Sequence, residues 1–352
     1  MTRLQSLGGA SASLGRRELL IGAASLSLAT CGRAPALTAS RTPRIDVARL
    51  EEEVAAIAAR AAPGVLGFGL MNLESGESWT RLGERPFPMM SVFKLPLGAA
   101  ALAEVETGRL TLAETLTLEP EDLSPPLSPI ADAWPGRTTY TVEEILTAAL
   151  VDSDNTAADL LMQRLGGPGV VSAWLQGKKV DEVRIDRYER QIQPQTYGMG
   201  SFRPGWKGEN AFAAALATVP PARRHAATLA YMADPRDSAT PRGMLGFLRR
   251  LDDGELLSTV SARQLLSLLI RTPRGADRIK AGLPKDASFA HKPGTSGTDQ
   301  GLTAAYNDVG ILTLHDNRRY AIAAFLSGST APEKVRAGLF ADLGRTAARS
   351  VG

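Results

Sequence analysis

The chain has 352 residues, 44% of them hydrophobic, and a formal charge of +3. That is material for one large domain or two small ones with a substantial core. The positive excess lies in the first 36 residues, where Arg3, Arg16, Arg17 and Arg33 stand against Glu18 alone; the remainder is formally neutral and has no nucleic-acid footprint.

Residues 1–36 read as an export signal. In GRRELLIGAASLSLATCG, the pair Arg16-Arg17 precedes an apolar run from Leu19 to Thr30, too short to span a bilayer as a stable helix. A twin arginine before such a run resembles a Tat signal and implies a periplasmic or secreted protein. Two processing routes stay open. Ala34-Pro35-Ala36 offers a small-x-small cleavage site, and LATC resembles a lipoprotein box that would anchor the chain at Cys31, with an unusual Thr30 before it. Cys31 is the only cysteine, so the mature domain has no internal disulfide. His225, His291 and His315 are far apart, without HxxxH or CxxC spacing, so no metal site is expected.

Residues 37–44 form a polar linker, and 45–350 are expected to make one domain. IDVARLEEEVAAIAARAA has helical spacing and stops at Pro63-Gly64. VLGFGLMNL and SWTRL read as a hairpin turning at Glu74-Ser75-Gly76. A helix is expected from about Met90 to Thr107, then an irregular Pro/Ser/Asp-rich stretch at 119–137. TVEEILTAALVDSD is a helix with Thr141 and Glu144 at capping-box spacing. Another covers about Thr156–Leu165, ended by Gly166-Gly167. Residues 181–240 give mixed signals. Thr240 and Pro241 open a helix as N-cap and first position, and SARQLLSLLIRT forms the next. Strands follow at about 288–292, 303–314 and 320–327, and the last helix starts near Pro332. The order predicts an α/β fold of the α+β type. An antiparallel sheet is flanked by the terminal helices on one side and a mostly helical subdomain on the other.

Three short stretches carry candidate chemistry. In MMSVFKLP, Ser91 and Lys94 share a helix face at i, i+3. Pro88 places Ser91 at a helix N-terminus, and a neutral, desolvated lysine beside it can take its proton. Alone, the pair also fits a capping serine and a snorkelling lysine. Ser153-Asp154-Asn155 falls between two helices; there a hydroxyl can relay a proton and an amide can hold a substrate amide, although S-D-N is also a common helix cap. In HKPGTSGT, Lys292 is a cation, Gly294 permits close backbone approach, and the Thr295 N–H can meet an oxyanion.

In this order the three match S-x-x-K, S-D-N and K-T-G, the signature of class A β-lactamases and penicillin-binding proteins. The spacing, and the text in LSPI (127–130), SDNTAADLL, LGGPGVV, RIKAGLP and AAYNDVGILTL, make roughly residues 45–350 resemble the class A family. The resemblance implies a β-lactamase/transpeptidase-like fold and a monomeric serine β-lactamase that needs no cofactor and acts on a small-molecule β-lactam. Ser91 is then the acylated nucleophile, Lys94, or Glu189 through a water, the base that takes its proton, Ser153 the proton donor to the leaving nitrogen, and Asn155, Lys292, Gly294 and Thr295 substrate-binding residues. The N–H groups of Ser91 and Thr295 form the oxyanion hole. RIDRYERQI resembles the start of the family's Ω-loop, with Glu189 where the deacylating glutamate stands. Arg187 and Asp237 match the ion pair that closes this loop, and Arg278 an arginine that some members use to hold the substrate carboxylate.

The sequence departs from the family at three places. Pro293 removes the hydroxyl of K-T-G or K-S-G, a charge-assisted hydrogen bond worth about 1.5–3 kcal/mol. Ser296 and Thr298 are the candidate replacements, and proline without an N–H belongs at a strand edge or where no ladder bond is needed. Gln193 stands where the family has asparagine. About 35 extra residues, near 194–233, interrupt the Ω-loop, with two helical pieces around Pro220-Pro221; a lid, a docking surface and a neutral insertion stay open. Two rival functions also stay open: a D-alanyl-D-alanine peptidase or transpeptidase, which has no need of Glu189, and a catalytically impaired binding module.

Overall fold

The structure is a computed structural model and describes residues 44–351. The expected export segment with Cys31, and the linker up to residue 43, lie outside the described residues.

Asp46 caps α1, Val47–Arg60, by accepting from the Arg49 amide at 3.1 Å. Leu50, Val54 and Ile57 form its buried face. β1, Val65–Asn72, and β2, Ser78–Arg81, form the expected hairpin. β3, Phe87–Pro88, leads into a 3-10 turn, Met90–Phe93, and then α2, Lys94–Glu106. A small ribbon of β4, Thr115–Thr117, and β5, Thr139–Thr141, brackets α3, Pro129–Ala133.

The capping box of Thr141 and Glu144 opens α4, Val142–Thr147, as expected. A π-helical turn, Ala148–Asp152, separates it from α5, Asn155–Arg164. α6, Pro168–Gly177, was not foreseen. The mixed region holds α7, Glu189–Gln195, α8, Glu209–Ala217, α9, Pro221–Ala233, and β6, Ser238–Ala239, which pairs with β3. Thr240 caps α10, Pro241–Asp252, and α11 is Thr259–Ile270. Last come β7, Ser288–Thr295, β8, Thr298–Asp299, β9, Leu302–Thr313, β10, Arg319–Ser329, and α12, Glu333–Ser350.

The main sheet runs β2-β1-β10-β9-β7 and is antiparallel throughout, with β8 added to β9. Strand alternation sends side chains to two cores. Leu66, Phe68 and Leu70 join Ile322, Leu326, Leu339 and Phe340 under the terminal helices. Ile311, Ala323 and Phe325 face the other way, toward the helical lobe. On that face β1 has Gly67 and Gly69, where a Cβ would come within 2.5 Å of the Phe87 ring and 2.7 Å of Leu245. The expected architecture is thus observed. Among the described residues, no helix is long and apolar enough to cross a membrane.

α12 lies so close to the turn Ile279–Gly282 that a Cβ at Gly282 would stand 1.8 Å from the Ala341 carbonyl oxygen. Gly338, in the same helix, has open space around it. Gly282→Ala should therefore destabilise by about 1–3 kcal/mol, through displacement of α12. Gly338→Ala should stabilise by about 0.5–1 kcal/mol. Urea titration of both variants checks the contrast.

Candidate active site

Ser91 lies in the 3-10 turn that feeds α2, so Lys94 is the first residue of that helix. Lys94 is fully buried. Its Nζ donates to Ser91 Oγ at 3.1 Å, Ser153 O at 2.7 Å and Asn155 Oδ1 at 2.6 Å, and lies 3.1 Å from Glu189 Oε1. An ammonium has three protons for these four oxygens. The expected constellation is therefore assembled around one nitrogen.

The second lysine approaches from β7. Lys292 Nζ donates to Ser153 Oγ at 2.8 Å, so Ser153 links the two lysines through its carbonyl and its hydroxyl. Burial pushes the Lys292 ammonium well below the usual lysine range, and the charge on Lys94 adds to this. Ser153 ends the π-helical turn in the left-handed conformation, φ +63°. Asp154 then caps α5, accepting from the Ala157 and Ile130 amides at 2.8 Å each. Asn155 is held from both ends, since its Nδ2 donates to Pro125 O at 2.5 Å.

β7 passes directly against the nucleophile. A Cβ at Gly294 would meet the Met89 carbonyl oxygen at 2.4 Å, so the close approach foreseen for this glycine is real. Asn307, opposite Gly294 on β9, donates to the Pro88 and Met89 carbonyls at 2.8 and 3.0 Å. Ser296 N donates to Ala305 O at 2.9 Å. Antiparallel alternation then turns the Gly294 amide toward β9, and the Thr295 amide and Pro293 nitrogen away from it. β7 is the outermost strand, so Pro293 costs the sheet no ladder bond. Its ring sits against Gly275, where a Cβ would lie only 2.9 Å away.

A cleft of about 320 Å³ opens beside these groups, lined among others by Ser91, Ser153, Arg274, Arg278, Pro293 and Thr295. Arg278 reaches it with part of its guanidinium committed. Nη1 donates to Gly294 O and Asn307 O, at 3.2 and 2.6 Å, Nη2 donates to Thr295 Oγ1, and the group stacks 3.8 Å from the Tyr306 ring centre. The two expected replacement hydroxyls point elsewhere. Ser296 Oγ donates to Gly297 O at 3.0 Å, and Thr298 Oγ1 pairs with Thr303 Oγ1 at 2.7 Å. Of Thr295, Ser296 and Thr298, it is Thr295 that lines the cleft.

Glu189 is fully buried at the first position of α7. Gln193, one turn on, donates from Nε2 to Glu189 Oε2 at 2.8 Å. Oε1 has no donor aligned on it and keeps a lone pair beside Lys94. The loop neck is closed as expected: Arg187 Nε meets Asp237 Oδ2 at 2.5 Å, and Asp237 Oδ1 accepts from the Asp186 and Arg187 amides. Burial pushes the Asp237 carboxyl up.

Asp159 was not foreseen. It lies one turn after Asn155 on the same face of α5. Its carboxylate accepts from the Glu189 amide at 2.6 Å, the Arg190 amide at 2.9 Å and Ser124 Oγ at 2.5 Å. An acid one turn from Asn155 in an otherwise apolar stretch was the available signal. Among the described residues, no His/Cys/Asp/Glu cluster is placed to hold a metal ion.

A serine at the cleft with a buried lysine one turn on at a helix start, under the edge strand of an antiparallel sheet, defines a serine hydrolase of the transpeptidase-like fold. Residues 49–351 match the sequence model of the β-lactamase enzyme family, and the chain belongs to that family. It is similar to β-lactamase L2 of Stenotrophomonas maltophilia, 29% identical over 331 residues, 94% of this chain and 95% of that one. A solved β-lactamase from Chitinophaga pinensis is 32% identical with a TM-score of 0.70, covering 86% of this chain and 99% of that one. An ancestral class A β-lactamase is 30% identical with a TM-score of 0.68, over 84% and 98%.

Burial pushes the Asp159 carboxyl up to about 6, above its unfolded value. Between about pH 4 and 6 the folded state then keeps a proton that the unfolded state has lost. The contribution of Asp159 to stability falls as pH rises through that window and is level above it. The stability of the parent chain relative to Asp159→Asn should drop by up to about 3 kcal/mol from pH 4 to 7. Urea titrations across that range test this, and a flat difference would refute it.

Proposed function

We propose that this chain is an exported β-lactamase that opens the β-lactam amide through an acyl-enzyme on Ser91. The observation that carries the reading is the position of Lys94 Nζ, itself fully buried, 3.1 Å from both Ser91 Oγ at the cleft and the buried Glu189 Oε1. Ser91 Oγ attacks the lactam carbonyl carbon, and its proton passes to Lys94, once that ammonium has handed a proton to Glu189 3.1 Å away, or to Glu189 through a water. The N–H groups of Ser91 and Thr295 receive the negative charge that develops on the carbonyl oxygen. Collapse of the tetrahedral intermediate breaks the C–N bond; Ser153, with Lys292 on its hydroxyl at 2.8 Å, supplies the proton to nitrogen and is refilled by the proton that the base took from Ser91, which leaves Glu189 ionised.

Glu189 then takes a proton from water, which attacks the ester; as the C–O bond breaks, that proton is returned to Ser91 Oγ. Its lone pair on Oε1 and the Gln193 bond to Oε2 support this role. The substrate carboxylate is assigned to the Thr295 hydroxyl and Arg278, which line the same cleft. Export is supported by Arg16-Arg17 and the apolar run behind them.

Time-resolved intact-mass spectrometry with benzylpenicillin tests the scheme. The parent chain should show a transient adduct and accumulating product, and Ser91→Ala none. Glu189→Gln should hold a persistent adduct, with kcat lower by about 10²–10⁴-fold. Rapid turnover by Glu189→Gln would remove that residue from its role. A persistent adduct on the parent chain would favour the D-alanyl-D-alanine peptidase reading.

A further inference from the structure

The segment between Gln193 and Asp234 takes no part in the steps above, yet it is fastened at several points. Lys207 Nζ donates to Trp134 O at 2.5 Å. Arg224 pairs with Asp299 at 3.0 Å, and Gln300 Nε2 donates to Pro221 O at 2.8 Å. Thr228 Oγ1 donates to Thr196 O, just past α7, at 3.1 Å. These ties describe a strap, fixed at both rims.

A buried contact toward the nucleophile belongs to Tyr231 on α9. It is 5% exposed and packs with Met90, Ile192, Ala304 and Ala305. Its hydroxyl donates to Met90 Sδ at 3.1 Å, and the Arg187 guanidinium carbon lies 5.8 Å from its ring centre. Two of these neighbours matter by position. Met90 immediately precedes Ser91 and has φ +46°, a conformation that a side-chain-bearing residue keeps only where its surroundings hold it. Ile192 lies on α7, between Glu189 and Gln193.

We infer that Tyr231 is a positioning residue for the reaction: one ring braces both the residue before the nucleophile and the helix that carries Glu189, and so fixes their separation. The inference rests on the roles proposed for Ser91 and Glu189. By the Lys94 route, acylation uses Ser91 and Lys94, which share one turn of chain and need no such brace. Deacylation needs Glu189 placed against a group held by Ser91. It is the step that a loosened α7 would slow, since small misplacements of reacting groups are costly in rate.

The test measures kcat and KM for benzylpenicillin, with intact-mass detection of the adduct, for Tyr231→Ala, Tyr231→Leu and Tyr231→Phe. If deacylation slows, kcat and KM fall together, by about 10- to 100-fold, while kcat/KM stays within a few-fold. The adduct persists, and Tyr231→Phe, which keeps the ring, restores most of the turnover. A role confined to folding would lower kcat with KM unchanged, in proportion to the active fraction, and would overturn the inference. Unchanged kinetics in a folded variant would do the same. Should the alanine variant fail to fold, the leucine variant gives the same two readouts. Absence of any adduct on the parent chain is a different failure, that of the proposed function itself.

Discussion

The buried pair of Lys94 and Glu189 is the constraint to which the rest of the site answers. Both side chains are fully excluded from water, 3.1 Å apart. Removing two ions from water costs several kcal/mol each, and mutual attraction offsets this only with good geometry and further hydrogen bonds. The surroundings supply them. Lys94 finds oxygens from the turn before it and from the start of α5, and Glu189 finds the amide of Gln193. The opening of α2, the end of the π-helical turn, the start of α5 and the start of α7 must therefore meet at one point.

Meeting there is a matter of backbone control. Ser153 takes a left-handed conformation, which turns its carbonyl to one lysine while its hydroxyl meets the other. Asp159 grips the first amides of α7, and Asp237 those at the loop neck. Asn307 ties the carbonyls ahead of the nucleophile to β9, and Gly294 lets β7 lie against them. Each is a polar or small residue that a core would otherwise exclude, and each is retained because it sets a distance.

The sequence made the frame legible wherever the cause was local. The Thr141–Glu144 capping box, the Thr240-Pro241 start and the β1–β2 hairpin depend on neighbours a few residues apart. The same holds for Ser91 and Lys94, one turn apart. α6 was overlooked because Gly166-Gly167-Pro168 reads as loop punctuation, although proline at a first helical position starts a helix equally well. The π-helical turn left no trace in an apolar pattern that continues through it. Asp159 and Asn307 escaped because their partners lie 30 and more than 200 residues away. The direction of the Ser296 and Thr298 hydroxyls followed from how this stretch and β8 pair with β9, which short-range pattern does not encode.

Pro293 carries a consequence of its own. The outer edge of a terminal strand is where an extended peptide docks by adding itself as a further strand, through main-chain hydrogen bonds. At the end of β7 beside Ser91 the outward nitrogens belong to Pro293 and Thr295, and of these two only Thr295 has a proton to give. A strand-like guest loses one of its anchoring bonds there, whereas a compact cyclic amide needs only the single donor beside Ser91. The residue that departs from the expected motif thereby removes one main-chain donor from an edge that would otherwise template the addition of a second chain.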